Sequence, residues 1–439
     1  MRFCCHSFIQ YETESTGTVC GRNGGAVVWR RFKSPVIAVT LVLGGLYAAA
    51  LPNSEPADLA TGNPGSGGKN WVATWGASPS GTVTSRGFRD ITFRNVIHTS
   101  LGGSRVRVRF TNAFGTAPVQ LVATVGLPRS AGSAEAVLGS VRRLTFGGRP
   151  AVVIPPRSQV LSDPVTMTVP ADADLFVTTY TPRAPGPVTY HRGAQQTSFV
   201  ATGGDHSADL SGFAFTRRTT SWHYLTGVDV DAADDARAVV ALGDSITDGV
   251  GSGVNRNARW PDVLADRLAA RGSGPPLAVV NAGINGNRVL SDSTQAGPRS
   301  LARLDRDVFA TPGLRTVVVL QGVNDLKQRP RLDNSAALIG GLKQIAAQAR
   351  ARGVRIVCGT ITPYRGWGAF DALGERIRQR VNAFIRTGGA FDAVIDFDAV
   401  VRDPGRPTRL VPAYDSGDHL HPSTAGLRAM AEAVDLSVL

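Results

Sequence analysis

The sequence predicts two folded parts: an all-β sandwich or jelly roll, followed by a three-layer, doubly wound α/β domain of flavodoxin-like type on a parallel sheet. Three observations carry this. Residues 71–231 hold short period-two runs separated by Gly and Pro turns, with no helical periodicity. Residues 238–439 alternate apolar β-branched runs with amphipathic stretches, the pattern of strands joined by crossover helices. The apolar run 238–242 stops at Gly243-Asp244-Ser245, which delivers a serine to the carboxyl edge of a sheet, where open α/β folds place their chemistry.

Ahead of these parts, residues 1–51 read as an N-terminal extension and a secretory signal. Arg30-Arg31-Phe32-Lys33 supplies the positive flank, 35–51 the short apolar core, and Ala48-Ala49-Ala50 the small-residue cleavage site. The run is short for a membrane span and carries Gly44-Gly45. Export with cleavage is therefore expected, and no stable membrane association afterwards. Retention by an uncleaved leader is the alternative. The segment before the leader is longer than an ordinary n-region, which fits a translation start near Val27 or Val28. Residues 52–70, rich in Pro, Gly, Ser and Asn, read as a flexible linker.

In the β region, Arg105-Val106-Arg107-Val108-Arg109-Phe110 alternates strictly, and 165–169 and 175–180 are also strand-like. Its aromatics, Trp71, Trp75, Tyr180, Tyr190, Trp222 and Tyr224, fit core packing, with a sugar-stacking platform as the rival reading. The acidic stretch 229–235 reads as the junction. Beyond it, strands are expected at 238–243, 277–282, 315–320, 354–361 and 392–397. Helices are expected near 260–271, 295–308, 333–352, 369–387 and 423–436.

Net charge is +13, yet only four lysines occur and the arginines are scattered, with no basic run beside stacking aromatics. That argues against a nucleic-acid partner. Three of the four cysteines (Cys4, Cys5, Cys20) precede the leader. Cys358 alone remains in the body, so neither a disulfide framework nor a cysteine zinc site can form there. Its apolar surroundings fit buried packing.

Five positions fall just after successive strands or before the last helix: Ser245, Gly286, Asn324, Asp418 and His421. Parallel strands share a carboxyl edge, so these groups can converge on what acyl transfer needs: a nucleophile, a base, a group that orients the base, and oxyanion donors. Each has a plainer reading. Gly-Asp-Ser is common turn chemistry, Asn285-Gly286 a β-turn, and Asn324-Asp325 a strand-end turn or cap. Asp418, His419 and His421 could serve as metal ligands, although no further His or Cys lies nearby. Asp248 could be a phosphatase acid, but it lacks a second carboxylate at the needed offset. Residues two apart in an extended stretch share a side, so spacing alone leaves His419 open as the base. Gly249, Gly251, Ser252 and Gly253 suggest an open rim suited to short acyl groups.

Together these blocks resemble the SGNH hydrolase superfamily, the GDSL-type esterases and lipases. Gly243-Asp244-Ser245 resembles its first block, with Ile246 in place of leucine. Gly286 and Gly322-Val323-Asn324-Asp325 resemble the second and third, and Asp418-x-x-His421 the last. The resemblance covers about residues 238–439, and the stretch from Trp71 through Gly103 is similar to the N-terminal β region of secreted bacterial members. It implies Ser245 as nucleophile, His421 as base and Asp418 as its orienting acid. It also implies an oxyanion hole of the Ser245 and Gly286 N–H groups with the Asn324 side chain. The subfamily is most similar to arylesterases and carbohydrate acetylesterases. The implied substrate is a small-molecule or polysaccharide ester, cleaved with no metal or organic cofactor. The rival is a secreted carbohydrate-binding or adhesive protein carrying a degenerate hydrolase fold.

Overall fold

The strand Arg237–Gly243 explains the second half of the chain: Val240 and Leu242 belong to one apolar cluster, Val239 and Ala241 to another, and all four are 0% exposed. A strand buried on both faces needs a helical layer on each. In this computed structural model, which describes residues 70–84 and 86–439, both layers are present. The helices Ala336–Arg350 and Ala372–Thr387 cover one face. Trp260–Ala270, Phe397–Val401 and Thr424–Glu432 cover the other.

The parallel sheet runs in the spatial order Leu277–Gly283, Arg237–Gly243, Leu314–Leu320, Arg355–Gly359, Ala393–Ile395. Numbered along the chain this order is 2-1-3-4-5, and the switch point lies between the strands that precede Ser245 and Asn324.

Upstream, two antiparallel sheets face each other across one core. The first contains Asn70–Gly76, Leu225–Ala232 and Gly103–Thr111; the second centres on Phe88–Thr99 and Ala173–Ala184. Val106, Val108 and Phe110 of the first meet Ile97, Leu121 and Val177 of the second, each 0% exposed. The three-layer α/β fold and the preceding β sandwich agree with the fold class expected from sequence.

The two parts share packing. Ala73 donates to the Pro312 carbonyl at 3.1 Å, and the Ser100 hydroxyl accepts from Val279 N at 3.0 Å. Val72 packs with Ala236, Ala238 and Ala278.

Several expectations need correction. The first strand begins at Asn70, inside the stretch read as linker 52–70. The acidic stretch 229–235 is not simply a junction. Asp229 lies within the strand Leu225–Ala232, and its fully buried carboxylate meets Arg107 at 3.1 Å and Arg109 at 3.2 Å. The helix expected at 295–308 starts only at Ser300 and passes into a π-turn at Asp305–Phe309. Gly297, with φ +69, and Pro298 hold the preceding residues in a turn. Three of the six aromatics named for a stacking platform, Trp75, Trp222 and Tyr224, lie in the sandwich core, with Trp75 edge-on to Trp222 at 4.8 Å. Cys358 is buried in the core of the α/β part. Cys4, Cys5, Cys20, the leader at 35–51 and the linker up to residue 69 lie outside the described residues. Among the described residues, no helix is long and apolar enough to cross a membrane.

Replacing Asp229 by Ala strips two arginines of their shared carboxylate inside the sheet. The expected cost is about 2–3 kcal/mol, below that of a fully buried pair because both arginines keep an edge to water. Urea unfolding of Asp229→Ala against the parent checks it, and an unchanged midpoint would contradict the role given to this pair.

Candidate active site

The position of Ser245 is built by a strand end and a very short helix. At Gly243 the strand stops, and the Asp244 side chain accepts from Ile246 N at 3.1 Å, capping the helix Ser245–Asp248. Gly249 closes it in the left-handed region with φ 105. Ser245 opens this helix, so its N–H is one of the first-turn donors that helix geometry leaves unpaired. Burial pushes the Asp244 carboxyl up to about 7.

His421 arrives from the loop before the last helix. Its Nε2 lies 2.9 Å from Ser245 Oγ and its Nδ1 2.5 Å from Asp418 Oδ2. The three-residue spacing works because the other Asp418 oxygen accepts the backbone N–H groups of Leu420 at 2.9 Å and His421 at 2.8 Å, folding the carboxylate back under the ring. Burial would raise the Asp418 carboxyl, but the hydrogen bonds from His421 and Leu420 outweigh it and hold it below its ordinary value. Burial also lowers His421, with Asp418 opposing. A neutral imidazole beside an ionised carboxylate is the state a general base requires.

His419 goes elsewhere. Its φ of +65 breaks the extended run, and its half-exposed ring bonds Asp415 Oδ2 at 2.6 Å. The same-side geometry allowed by a two-residue spacing is therefore absent. Among the described residues, no group of three His, Cys, Asp or Glu side chains is arranged to hold a metal ion.

Gly286 occupies a turn closed by Asn287 N donating to the Ile284 carbonyl at 3.0 Å, and its φ of +79 suits glycine. Asn324 is fully buried, and its Nδ2 spends one hydrogen on the Asn287 carbonyl at 3.0 Å. Gln328 joins the two: its Nε2 reaches Asn324 Oδ1 at 3.0 Å and the Gly286 carbonyl at 3.2 Å. Gln328 belongs to none of the sequence blocks, although it lies four residues beyond Asn324, the spacing of neighbours on a helix face. Lys327 and Trp367 stand outside the blocks as well. The ammonium sits 4.8 Å from the indole centroid, and the indole stands edge-on to His421 at 6.1 Å.

The glycines after Ser245 form no open rim. A Cβ on Gly249 would meet Arg259 at 2.4 Å, and one on Gly251 the Pro422 carbonyl at 2.3 Å; Ser252 is buried. A cavity of about 260 Å³ lies beside Gly286, bounded by Asn285, Ser293, Gln295 and Gln328, with Ser80 and Arg192 from the β part. Asp248 lines this cavity too, and also a second one bounded by His98, His191, Trp222 and Arg259. Asp248 is no phosphatase acid: its carboxylate is taken up by His191 and the backbone of Asn285.

Residues 241–429 match the model of the GDSL-like lipase/acylhydrolase family. No curated protein matches the chain. Among solved structures, the chain is similar to a carbohydrate acetylesterase family member from Sinorhizobium meliloti, at 21% identity over 45% of this chain and 94% of that one, TM-score 0.37. It is similar to the aryl esterase of M. smegmatis at 18% identity over 45% and 95%, TM-score 0.36. It is also similar to a lipase/acylhydrolase from Enterococcus faecalis at 22% identity over 45% and 92%, TM-score 0.35. The family match spans the strand ends and the loops that carry Ser245, Gly286, Asn324 and His421, and it supports a carboxylic ester hydrolase of the GDSL-like lipase/acylhydrolase kind in residues 241–429.

Proposed function

We propose that the protein is a secreted serine esterase that removes short acyl or acetyl groups from small-molecule or polysaccharide esters through Ser245, His421 and Asp418. The observation that carries this is the relay from Ser245 Oγ to His421 Nε2 at 2.9 Å and on from Nδ1 to Asp418 at 2.5 Å. Oγ attacks the carbonyl carbon while Nε2 takes its proton, and Asp418 steadies the imidazolium that forms. The developing oxyanion receives the N–H groups of Ser245 and Gly286 and the second Nδ2 hydrogen of Asn324. His421 then returns the proton to the departing alcohol oxygen as the ester C–O bond breaks. Water, deprotonated by the same nitrogen, releases the acid and restores Ser245.

The hydrophilic lining of the cavity beside Gly286 favours a small or sugar-borne ester over a long acyl chain. Export rests on the leader pattern at 35–51. A degenerate hydrolase serving only as a binding module would have no need to keep the serine, histidine and aspartate in hydrogen-bond register.

On a soluble p-nitrophenyl ester, Ser245→Ala should fold and lose nearly all turnover. His421→Ala should drop kcat by about 10⁴ or more, whereas His419→Ala, whose side-chain hydrogen bond is to Asp415, should cost at most about tenfold. A dead His419→Ala variant would overturn the relay. Asn324→Ala should lower kcat by about 10²–10³ with little change in KM. A change in KM alone would make Asn324 a substrate-binding or purely structural residue.

The pH profile follows from burial of the base. Turnover needs neutral His421, whose value lies below the ordinary imidazole value of 6.5. The acid limb of kcat/KM should therefore fall below pH 6.5, with activity lost as pH drops through it. A limb above that value would contradict the neutral, desolvated base.

A further inference from the structure

We propose that the β sandwich takes part in the reaction: His191 is a positioning residue that holds the oxyanion loop in place through Asp248. The proposal rests on the reading of Gly286 as an oxyanion donor. His191 ends the strand Val188–His191, and its ring is buried against Trp222 at 5.3 Å. Its Nδ1 lies 2.7 Å from the Ser78 carbonyl and its Nε2 2.9 Å from Asp248 Oδ1. A carbonyl and a carboxylate only accept, so both ring nitrogens must donate, and the ring is an imidazolium. Burial and the nearby Arg259 pull its value down, but Asp248 and Ser78 outweigh them and raise it above the ordinary value.

Asp248 is the last residue of the helix that Ser245 opens, and it is only 4% exposed. Its second oxygen accepts the Asn285 N–H at 2.8 Å. That peptide is one step before the peptide whose N–H belongs to Gly286. One carboxylate thus ties the far end of the nucleophile helix to the turn at 284–287, while the turn start is pinned by Ile284 N donating to the Gly243 carbonyl at 3.1 Å. The chain after His191 also closes over this carboxylate: a Cβ on Gly193 would come within 3.1 Å of Asp248 Oδ2.

Without the imidazolium, the buried carboxylate would keep the Asn285 N–H but lose its balancing charge. A buried carboxylate that loses its hydrogen-bonded counter-ion is costly, and Arg303, the other buried cation that feels its charge, is already paired with Asp307, so the carboxylate would swing toward the adjoining cavities. That movement loosens the hold on Asn285, and with it the aim of the Gly286 N–H. That aim matters most when charge develops on the substrate oxygen, so the loss should fall on the transition state and spare ground-state binding.

The test compares His191→Gln and Asp248→Asn with the parent. It reads kcat and KM on one soluble ester, the inactivation rate with a serine-directed phosphonate, and circular dichroism and melting temperature as fold controls. Each variant should lower kcat by about tenfold or more, short of the 10²–10³ for loss of a whole donor, with KM within about threefold. Phosphonate inactivation should slow in parallel, and the double variant should be no worse than the poorer single one. Added imidazole should partly restore His191→Ala, since the cavity bounded by His98, Trp222 and Arg259 reaches this site. Parent-like kcat in both variants, with Ser245→Ala inactive, would overturn this proposal and leave the esterase reading standing. An active Ser245→Ala would instead overturn the esterase reading. A rise in KM matching the loss of kcat would make the pair merely structural, and so overturn the proposal. Should His191→Gln fail to fold, the near-isosteric Asp248→Asn decides the question alone, by the same kcat and KM criteria.

Discussion

The site depends first on the register of three parallel strand ends. Gly243 lies level with Gly283 on one side and Leu320 on the other, so the segments carrying Ser245, Gly286 and Asn324 leave the sheet at one height. Close approach keeps two of these ends as glycine. A Cβ at Gly243 would lie 2.0 Å from Thr247 Oγ1, and one at Gly283 would lie 2.3 Å from Asp248 N. Beneath them the fully buried Arg303 donates to the Gly243 carbonyl at 3.0 Å, the Ala282 carbonyl at 2.8 Å and Asn287 Oδ1 at 3.1 Å. It also reaches the Ser78 hydroxyl in the β part at 3.0 Å, and Asp307 at 3.2 Å supplies the balancing charge. A planar fork with five donors can serve these five acceptors in fixed directions, more than the three donors of a lysine ammonium.

What could be read from the sequence was whatever repeats locally. Double-sided apolar strands, crossover helices and alternating runs in the sandwich each carry a period, and the α/β fold follows from them. Local stop signals misled where the fold overrides them. Asp229 reads as part of a junction because nothing nearby reveals that Arg107 and Arg109 lie across the neighbouring strand. The glycines from 249 to 253 read as a flexible rim, but the room they leave is filled by Arg259 and Pro422. The site divides in the same way. Ser245, Gly286, Asn324, Asp418 and His421 stand out because each sits in a short block at a strand end. His191 has no such block, and its partner Asp248 is 57 residues away in another sheet system. No periodicity or spacing encodes that pairing.

Of the histidines that face aspartates, His419, His421 and His191 do so at similar distances, and the surroundings of the rest of the ring set what each one does. His419 keeps about half its side chain in water, so its bond to Asp415 is an exposed pair of small worth. At His421 the second nitrogen faces the Ser245 hydroxyl, a group that can donate. The ring can therefore stay neutral, and burial favours that form. His191 faces the Ser78 carbonyl with its second nitrogen, and a carbonyl cannot donate. A neutral ring there would oppose a lone pair to an acceptor, so the proton stays. The same two residue types, aspartate and histidine, thus yield a ring that burial keeps neutral beside the serine hydroxyl and a ring held between two acceptors behind the loop. Substituting Asn for Asp418 would change the carboxylate that orients the ring facing Ser245. The same change at Asp248 would leave that ring and its partner intact and disturb the loop alone, so the two pairs separate by chemistry although they flank one short helix.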